Sequence, residues 1–298
     1  MRSFAAKLST VVEGRMLRCF LLSVVSLATL LYADEDVLRP KGRVGSQAPI
    51  VQPEGLVRNP WAFGIELGGS LSFFAQNITL HQSPDYETNM TGGSGFGPLI
   101  DVALDYALTD QLGLQLRLGY DRKHYTVSGY LDAPCETPPG SGFYLPARIN
   151  EDYSQTVNYW TGNIGIRYRF ADSWLLTAGF TYHARSNASY TVTDTITEGT
   201  CQFHDDLGNP LGQRRQLTGS NTAGFNASRW SLDLGIGYRI PLSENVVLVP
   251  RLNGQLFLSP LAPDDSASGR HPAVGQIYSY TDRRLHALQL IVGLWFNL

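Results

Sequence analysis

Residues 288–298 read Leu288-Gln-Leu-Ile-Val-Gly-Leu-Trp-Phe-Asn-Leu298. Leu288, Leu290, Val292, Leu294, Phe296 and Leu298 share one face. Gln289, Ile291, Gly293, Trp295 and Asn297 share the other. A period of two is the signature of a β-strand, and here one face is wholly apolar.

Upstream, the alternation recurs. Trp61, Phe63, Ile65, Leu67, Leu71 and Phe73 oppose Gly64, Glu66, Gly68, Ser70 and Ser72. Further alternating segments fall at 100–106, 112–121, 160–170, 174–185, 230–240 and 248–258. The cleanest sets Trp230, Leu232, Leu234, Ile236, Tyr238 and Ile240 against Ser231, Asp233, Gly235, Gly237 and Arg239. With the terminal segment this predicts eight strands.

Alternation alone does not separate a soluble sandwich from a membrane barrel, because an antiparallel sheet with one wet face alternates too. Three further features decide. Connections alternate in length: short at 109–110, 171–173 and 243–245, long at about 77–97, 131–153, 196–227 and 259–285. That is the layout of barrels with short periplasmic turns and long extracellular loops. Aromatics bracket the apolar faces eight residues apart, as in Trp160 to Tyr168, Trp174 to Tyr182 and Trp230 to Tyr238. At ~3.3 Å per residue and ~40° of tilt this spans roughly 20 Å, close to the apolar band of such barrels. The opposite face is rich in Gly, Ser and charge, which suits the narrow polar interior of a small barrel.

The terminal strand, with Gly293 sixth from the end, an aromatic at Phe296 and an apolar Leu298, resembles the assembly signal of bacterial outer-membrane barrels. It departs by ending in Leu where Phe is commoner, and by having Ile291 where a polar residue is usual. From residue 61 onward the chain resembles the small OmpA/OmpX-type barrels and the broad, PorT-like group of outer membrane protein β-barrel domains. The resemblance implies an all-β fold: an eight-stranded antiparallel up-and-down transmembrane β-barrel over 61–298. It also implies folding by the barrel-assembly machinery, which would read Gly293, Phe296 and Leu298.

The N-terminus fits export. Arg15 and Arg18 precede an apolar run from Cys19 to Tyr32, followed by Ala33 and Asp34-Glu35-Asp36. This reads as a signal peptide, residues 1–33, with Met16 as an alternative start. An anchoring helix is the other reading, but the run is short of the roughly 20 residues a span requires. Cys19 lies too early to be a lipoprotein acceptor. Residues 34–60, with Pro40, Pro49, Pro53 and Pro60, read as a flexible periplasmic extension. The net charge of −3 argues against a nucleic-acid partner. Outer-membrane lipid, the assembly machinery and an extracellular partner reached through the loops are the partners this reading expects.

The inward face carries Glu66, Asp101, Asp105, Asp121 and Asp233 with Arg117, Arg167, Arg169, Arg185, Arg239 and Arg251. Arg117 should lie diagonal to Asp101 and Asp105 across the second hairpin. Such a charge network acts as a gate or as an ion-paired plug; eight strands leave room only for side chains, which favours the plug. Past the signal region, Cys135 and Cys201 remain, an even number that points to a disulfide over two free thiols. No cofactor or metal motif is read: His204 with Asp205-Asp206 is the one cluster, and it suits a solvated turn. Ser186 or Ser189 with His183 and Asp194 lie along one strand and do not converge as a triad requires, so no catalysis is expected. The role expected is an interaction platform. The alternative is a narrow passive channel or small-hydrophobe conduit.

Overall fold

A computed structural model describes residues 60–298 apart from 81–85, 137–140, 206, 208, 221–223, 265–269, 272–274 and 277. The expected signal peptide, and the extension up to residue 59, lie outside the described residues. Pro60 is held at the barrel: its carbonyl accepts the Ala107 N–H at 2.8 Å.

Eight long strands form a ring: β1 (Trp61–Leu80), β2 (Gly92–Ala107), β3 (Leu112–Glu136), β4 (Tyr144–Arg169), β5 (Trp174–Glu198), β6 (Ser228–Tyr238), β7 (Val246–Phe257) and β8 (Tyr278–Asn297). Each pairs antiparallel with its sequence neighbours, and β8 returns to β1 through pairs from Ala62↔Asn297 to Leu80↔Tyr278. Closure pairs backbone polar groups that lipid could not satisfy.

The predicted faces hold. Trp61, Ile65, Leu67, Ile164, Leu290 and Val292 project outward and are exposed, while Glu66, Ser70, Ser72, Gln289 and Ile291 are buried inside. The aromatics sit directly opposite one another across strands. Trp61 meets Tyr106 and Trp174 meets Tyr238 at the short-turn end, with ring centroids 4.7 and 5.0 Å apart. Tyr120 meets Trp160 and Tyr182 meets Trp230 at the other end, at 5.3 and 5.0 Å. These four pairs mark the two edges of the apolar belt.

The structure corrects the expected loop 131–153. β3 and β4 stay paired from Leu112↔Tyr168 to Glu136↔Tyr144, so the connection shrinks to 137–143. β5 rises with them, and a short strand, Arg214–Ser220, pairs along its outer half from Thr195↔Arg214 to Ser189↔Ser220. Above the belt the pairing continues because the inward face becomes apolar. Tyr125, Val127, Val157, Tyr159 and Ala188 pack there with Phe225, Leu261, Ala262 and Leu285. A bulge makes this work on β5. Asn158 pairs with Asn187 and Tyr159 with Arg185, leaving Ser186 extra. The inward register shifts from odd residues (Thr181, His183) to even ones (Ala188, Asp194, Ile196), all buried. A second irregularity on β8, beside Ala75/Asn77, puts Asp282 at φ 51°, a conformation Asp tolerates.

Candidate functional site

The lumen of the barrel brings many charged side chains together, and it is filled in tiers. At the short-turn mouth the apolar residues Ala103, Leu175, Val247, Val249 and Trp295 form a buried cluster. The Trp295 ring fits because two neighbours lack side chains. A Cβ at Gly64 would stand 2.7 Å from the ring carbon Cδ2, and one at Gly293 2.7 Å from Nε1. Gly293 is thus a packing requirement of the barrel wall. Phe296 faces outward opposite Phe63 and Val246, and the Leu298 N–H donates to the Trp61 carbonyl at 3.0 Å.

Above the mouth the charges pair across strands. Arg251 donates through Nη2 to Glu66 Oε2 at 2.7 Å. Arg167 forks onto Asp105, with Nε and Nη2 each 2.9 Å from a carboxylate oxygen, and Gln115 adds a third bond to Asp105 at 3.0 Å. Arg169 and Arg239 line the mouth itself. Arg117 sits opposite Ala103 and hence diagonal to Asp101 and Asp105, as expected, but it makes no ion pair with either. Asp105 is occupied by Arg167, which reaches it with both Nε and Nη2. Asp101 fits against β3 only because a Cβ at Gly119 would be 1.7 Å from its Oδ1.

Higher up, Lys123 is fully buried between Asp121 (2.7 Å), Ser70 (2.6 Å) and Gln255 (2.7 Å). Asp233 accepts from Thr181 at 2.6 Å, Ser231 at 2.7 Å and Gln255 at 3.3 Å. Arg229 lies over the Phe257 ring at 4.0 Å and donates to the Ser259 carbonyl at 2.9 Å. Arg185 reaches the Phe225 carbonyl. Lys123 and Arg229 escape a reading that stops each strand at its aromatic belt; Gln115 and Gln255 lie on the expected polar faces, but a network read from charges alone omits them. Continuing the same parity past Tyr120, or back from Trp230, would have found Lys123 and Arg229. Between Asp101, Arg117, Asp121 and Asp233 only a cavity of ≈ 20 Å³ remains, room for about one water.

The weighed catalytic set separates. His183 faces inward, 2.9 Å from Ser231 Oγ, and both are fully buried. Ser231 then donates to Asp233, so the serine stands between histidine and acid. A triad needs histidine in the middle. Ser186 faces outward and donates to the Asn158 carbonyl, while Asp194 accepts from Arg215 at 2.7 Å. Asp205 spends its Oδ1 on the Leu207 and Asn209 N–H groups of its own turn; Asp206 lies outside the described residues.

The outermost tier is a fastened sheet. A disulfide joins Cys135 at the end of β3 to Cys201 beyond β5, beside Ala147, Ile196 and Phe203. Arg148 forks onto Asp132 at 2.9 and 3.1 Å and stacks over Tyr130. The bonds to Asp132 hold the Arg148 guanidinium above its usual pKa. Asp132 also accepts from the Glu87 N–H, tying in the segment before β2.

A model of the family described as outer membrane protein beta-barrel domain matches residues 46–257. No curated protein matches by sequence. Among solved structures, the attachment invasion locus protein Ail of Yersinia pestis is 13% identical, with 79% of this chain and 98% of that chain covered and a TM-score of 0.30. OprG of Pseudomonas aeruginosa is 11% identical, covering 79% and 96%, with a TM-score of 0.33. The outer membrane protease OmpT of Escherichia coli is 10% identical, covering 81% and 98%, with a TM-score of 0.31. A likeness at this level carries no argument for what this chain does.

Proposed function

The chain belongs to the outer membrane protein β-barrel family, and from that premise we propose that it is a closed platform presenting its outer tier to an extracellular partner. Its place is the bacterial outer membrane. The observation that carries the reading is the filled lumen. Ion pairs occupy its middle, a cavity of ≈ 20 Å³ is left between them, and the apolar cluster under Phe225 and Leu261 closes the outer end. A passage for ions needs continuous water, and among the described residues the middle tier leaves room for about one molecule. The platform reading assigns no catalysis: the His183–Ser231–Asp233 grouping has its serine in the middle and is fully buried. Outer-membrane lipid covers the belt, and the assembly machinery reads Gly293, Phe296 and Leu298 during insertion.

Planar-bilayer recording of the folded protein tests this. The expected result is no stepwise conductance for the wild type. Discrete steps, altered by Arg117→Ala, would replace the platform with a narrow channel.

A further inference from the structure

We propose that the open edge of the short strand Arg214–Ser220 takes an extended segment of the extracellular partner as one more antiparallel strand, with an apolar residue opposite Leu217 and an acid opposite Arg214. The proposal rests on the platform reading and names its docking surface. Beyond the belt the wall is a sheet that runs from β3 through β4 and β5 to this strand, and it has two ends. One end is covered. The segment before β2 lies along β3: the Asn89 N–H donates to the Tyr130 carbonyl at 3.2 Å, the Asp132 N–H donates to the Glu87 carbonyl at 2.9 Å, and Thr88 bridges Leu131. That segment brings an acid, Glu87, to 3.9 Å from Arg148, and an apolar side chain, Met90, that is buried. At the other end the sheet stops. Among the described residues, Arg214–Ser220 pairs with β5 and with no strand on its far side.

The ladder fixes which backbone groups are open. The Gln213 carbonyl accepts from the Ile196 N–H at 2.8 Å, in register with the pairs from Thr195↔Arg214 to Ser189↔Ser220. Alternate residues of an antiparallel strand bond to the same neighbour, so Arg215, Leu217 and Gly219 bond to β5. Arg214, Gln216, Thr218 and Ser220 turn their N–H and C=O groups to the open side. Sheets guard such edges with proline, lysine, bulges or a covering segment. This strand has no proline or lysine, its ladder has no bulge, and both of its charges lie at one end. Leu217 stands opposite Val192 and is still 46% exposed. An incoming residue opposite Leu217 would form a non-hydrogen-bonded pair, the closer of the two kinds, and an apolar side chain there covers the leucine. Arg215 is held by Asp194 at 2.7 Å. Arg214 is exposed and in no ion pair among the described residues, so an acid fits opposite it.

The probe is the peptide Thr-Tyr-Thr-Val-Thr-Ser-Glu-amide with an N-terminal fluorescein. Running antiparallel from Ser220 to Arg214, it sets its valine opposite Leu217 and its glutamate opposite Arg214. Fluorescence anisotropy follows its binding to the folded protein in phosphatidylcholine nanodiscs, with empty discs subtracted. Saturable binding is expected. N-methylation of the third and fifth residues, whose amides face the edge, removes two hydrogen bonds and should weaken binding by about tenfold or more. N-methylation of the fourth and sixth, whose amides face away, should change it by less than about threefold. Thr218→Pro removes an edge N–H that β5 does not use and should abolish binding. Arg214→Glu should weaken it roughly threefold to tenfold, and a peptide ending in lysine should regain that loss on this variant alone. Heat-modifiable migration on gels confirms that each variant is folded; should Thr218→Pro not fold, the two methylation patterns decide. No saturable binding, or equal loss from both methylation patterns, would overturn the proposal. So would sedimentation showing a dimer that Thr218→Pro dissolves, which gives the edge to a second copy. Failure of the peptide with a silent bilayer removes this docking edge and leaves the platform. Stepwise conductance together with peptide binding removes the platform and leaves the edge.

Discussion

The barrel has two halves with opposite dress. Below the Tyr120–Trp160 and Tyr182–Trp230 pairs, β3, β4 and β5 are apolar outside and polar inside. Above them the same three strands bury Tyr125, Val127, Val157, Tyr159 and Ala188 inside, and turn Arg122, Ser128, Asp152, Asn187 and Ser189 outward. The alternation runs on past the belt, with its parity changed once on β5; what changes at the frontier is the medium. In lipid the outer face must be apolar, and in water the inner one must be. The aromatic pairs are the frontier, and the Ser186 bulge is where β5 adjusts its register just beyond it.

The lower half should break most severely when one charge loses its partner. Arg251→Ala leaves Glu66 buried and uncompensated, a loss of about 3–5 kcal/mol. Urea titration of the folded, fast-migrating band would read it; a midpoint unchanged from wild type would mean that the lower lumen is wet and the pair screened. The upper half should break by cavity formation instead. Leu285→Ala removes a fully buried side chain and should loosen the outer tier by about 2–5 kcal/mol. Limited proteolysis above the belt should speed up while the urea midpoint of the barrel barely moves. Equal loss in both readouts would mean that the two halves unfold as one.

A smaller effect is expected at the rim. Cys201→Ser should release the β3–β4 hairpin tip from the segment after β5, costing about 2–4 kcal/mol, again in the outer tier alone. Reductant on the wild type should reproduce it, and a reductant-insensitive outer tier would count against the staple. The smallest effect concerns pH. The Glu151 carboxyl is pushed up to about 7 by burial and by the neighbouring Asp194, from an ordinary 4.5. The folded state therefore holds an extra proton between those values, and the outer tier loses stability as pH rises from 4.5 towards about 7. Glu151→Gln should flatten that slope, measured by hydrogen exchange of β4 and β5. A slope that survives the substitution would place its origin elsewhere.

Much of the lower half was legible in the sequence. There the lipid-facing side of each strand must be greasy, so Trp160 to Tyr168 or Trp230 to Tyr238 declares itself. The upper half hid for the same reason. Residues 131–153 contain Asp132, Pro134, Pro146, Arg148 and Asp152 and lack a run of outward apolar residues, so they read as loop. Yet Leu131↔Ile149 and Tyr153↔Val192 are ladder pairs, carried by an inner face that two-faced patterning does not weight. The network was half legible for a related cause. Parity places Arg117 diagonal to Asp101 and Asp105, but which cation wins Asp105 depends on Arg167, two strands from it in the ring. The Cys135–Cys201 pairing was legible by count, whereas the buried apolar cluster at the short-turn mouth, built from Leu175, Val247, Val249 and Trp295 on three strands, was not.

The central claim is that β3, β4 and β5 form one continuous folded sheet through and beyond the membrane belt. Amide hydrogen exchange of the protein in nanodiscs tests it most directly. Protection should run without a break from Leu112 past Tyr120 to Asp132, and from Arg148 through Trp160 to Arg169. Protection that ends at Tyr120, Trp160 and Tyr182, with fast exchange above them, would contradict it and return residues 131–153 to a loop.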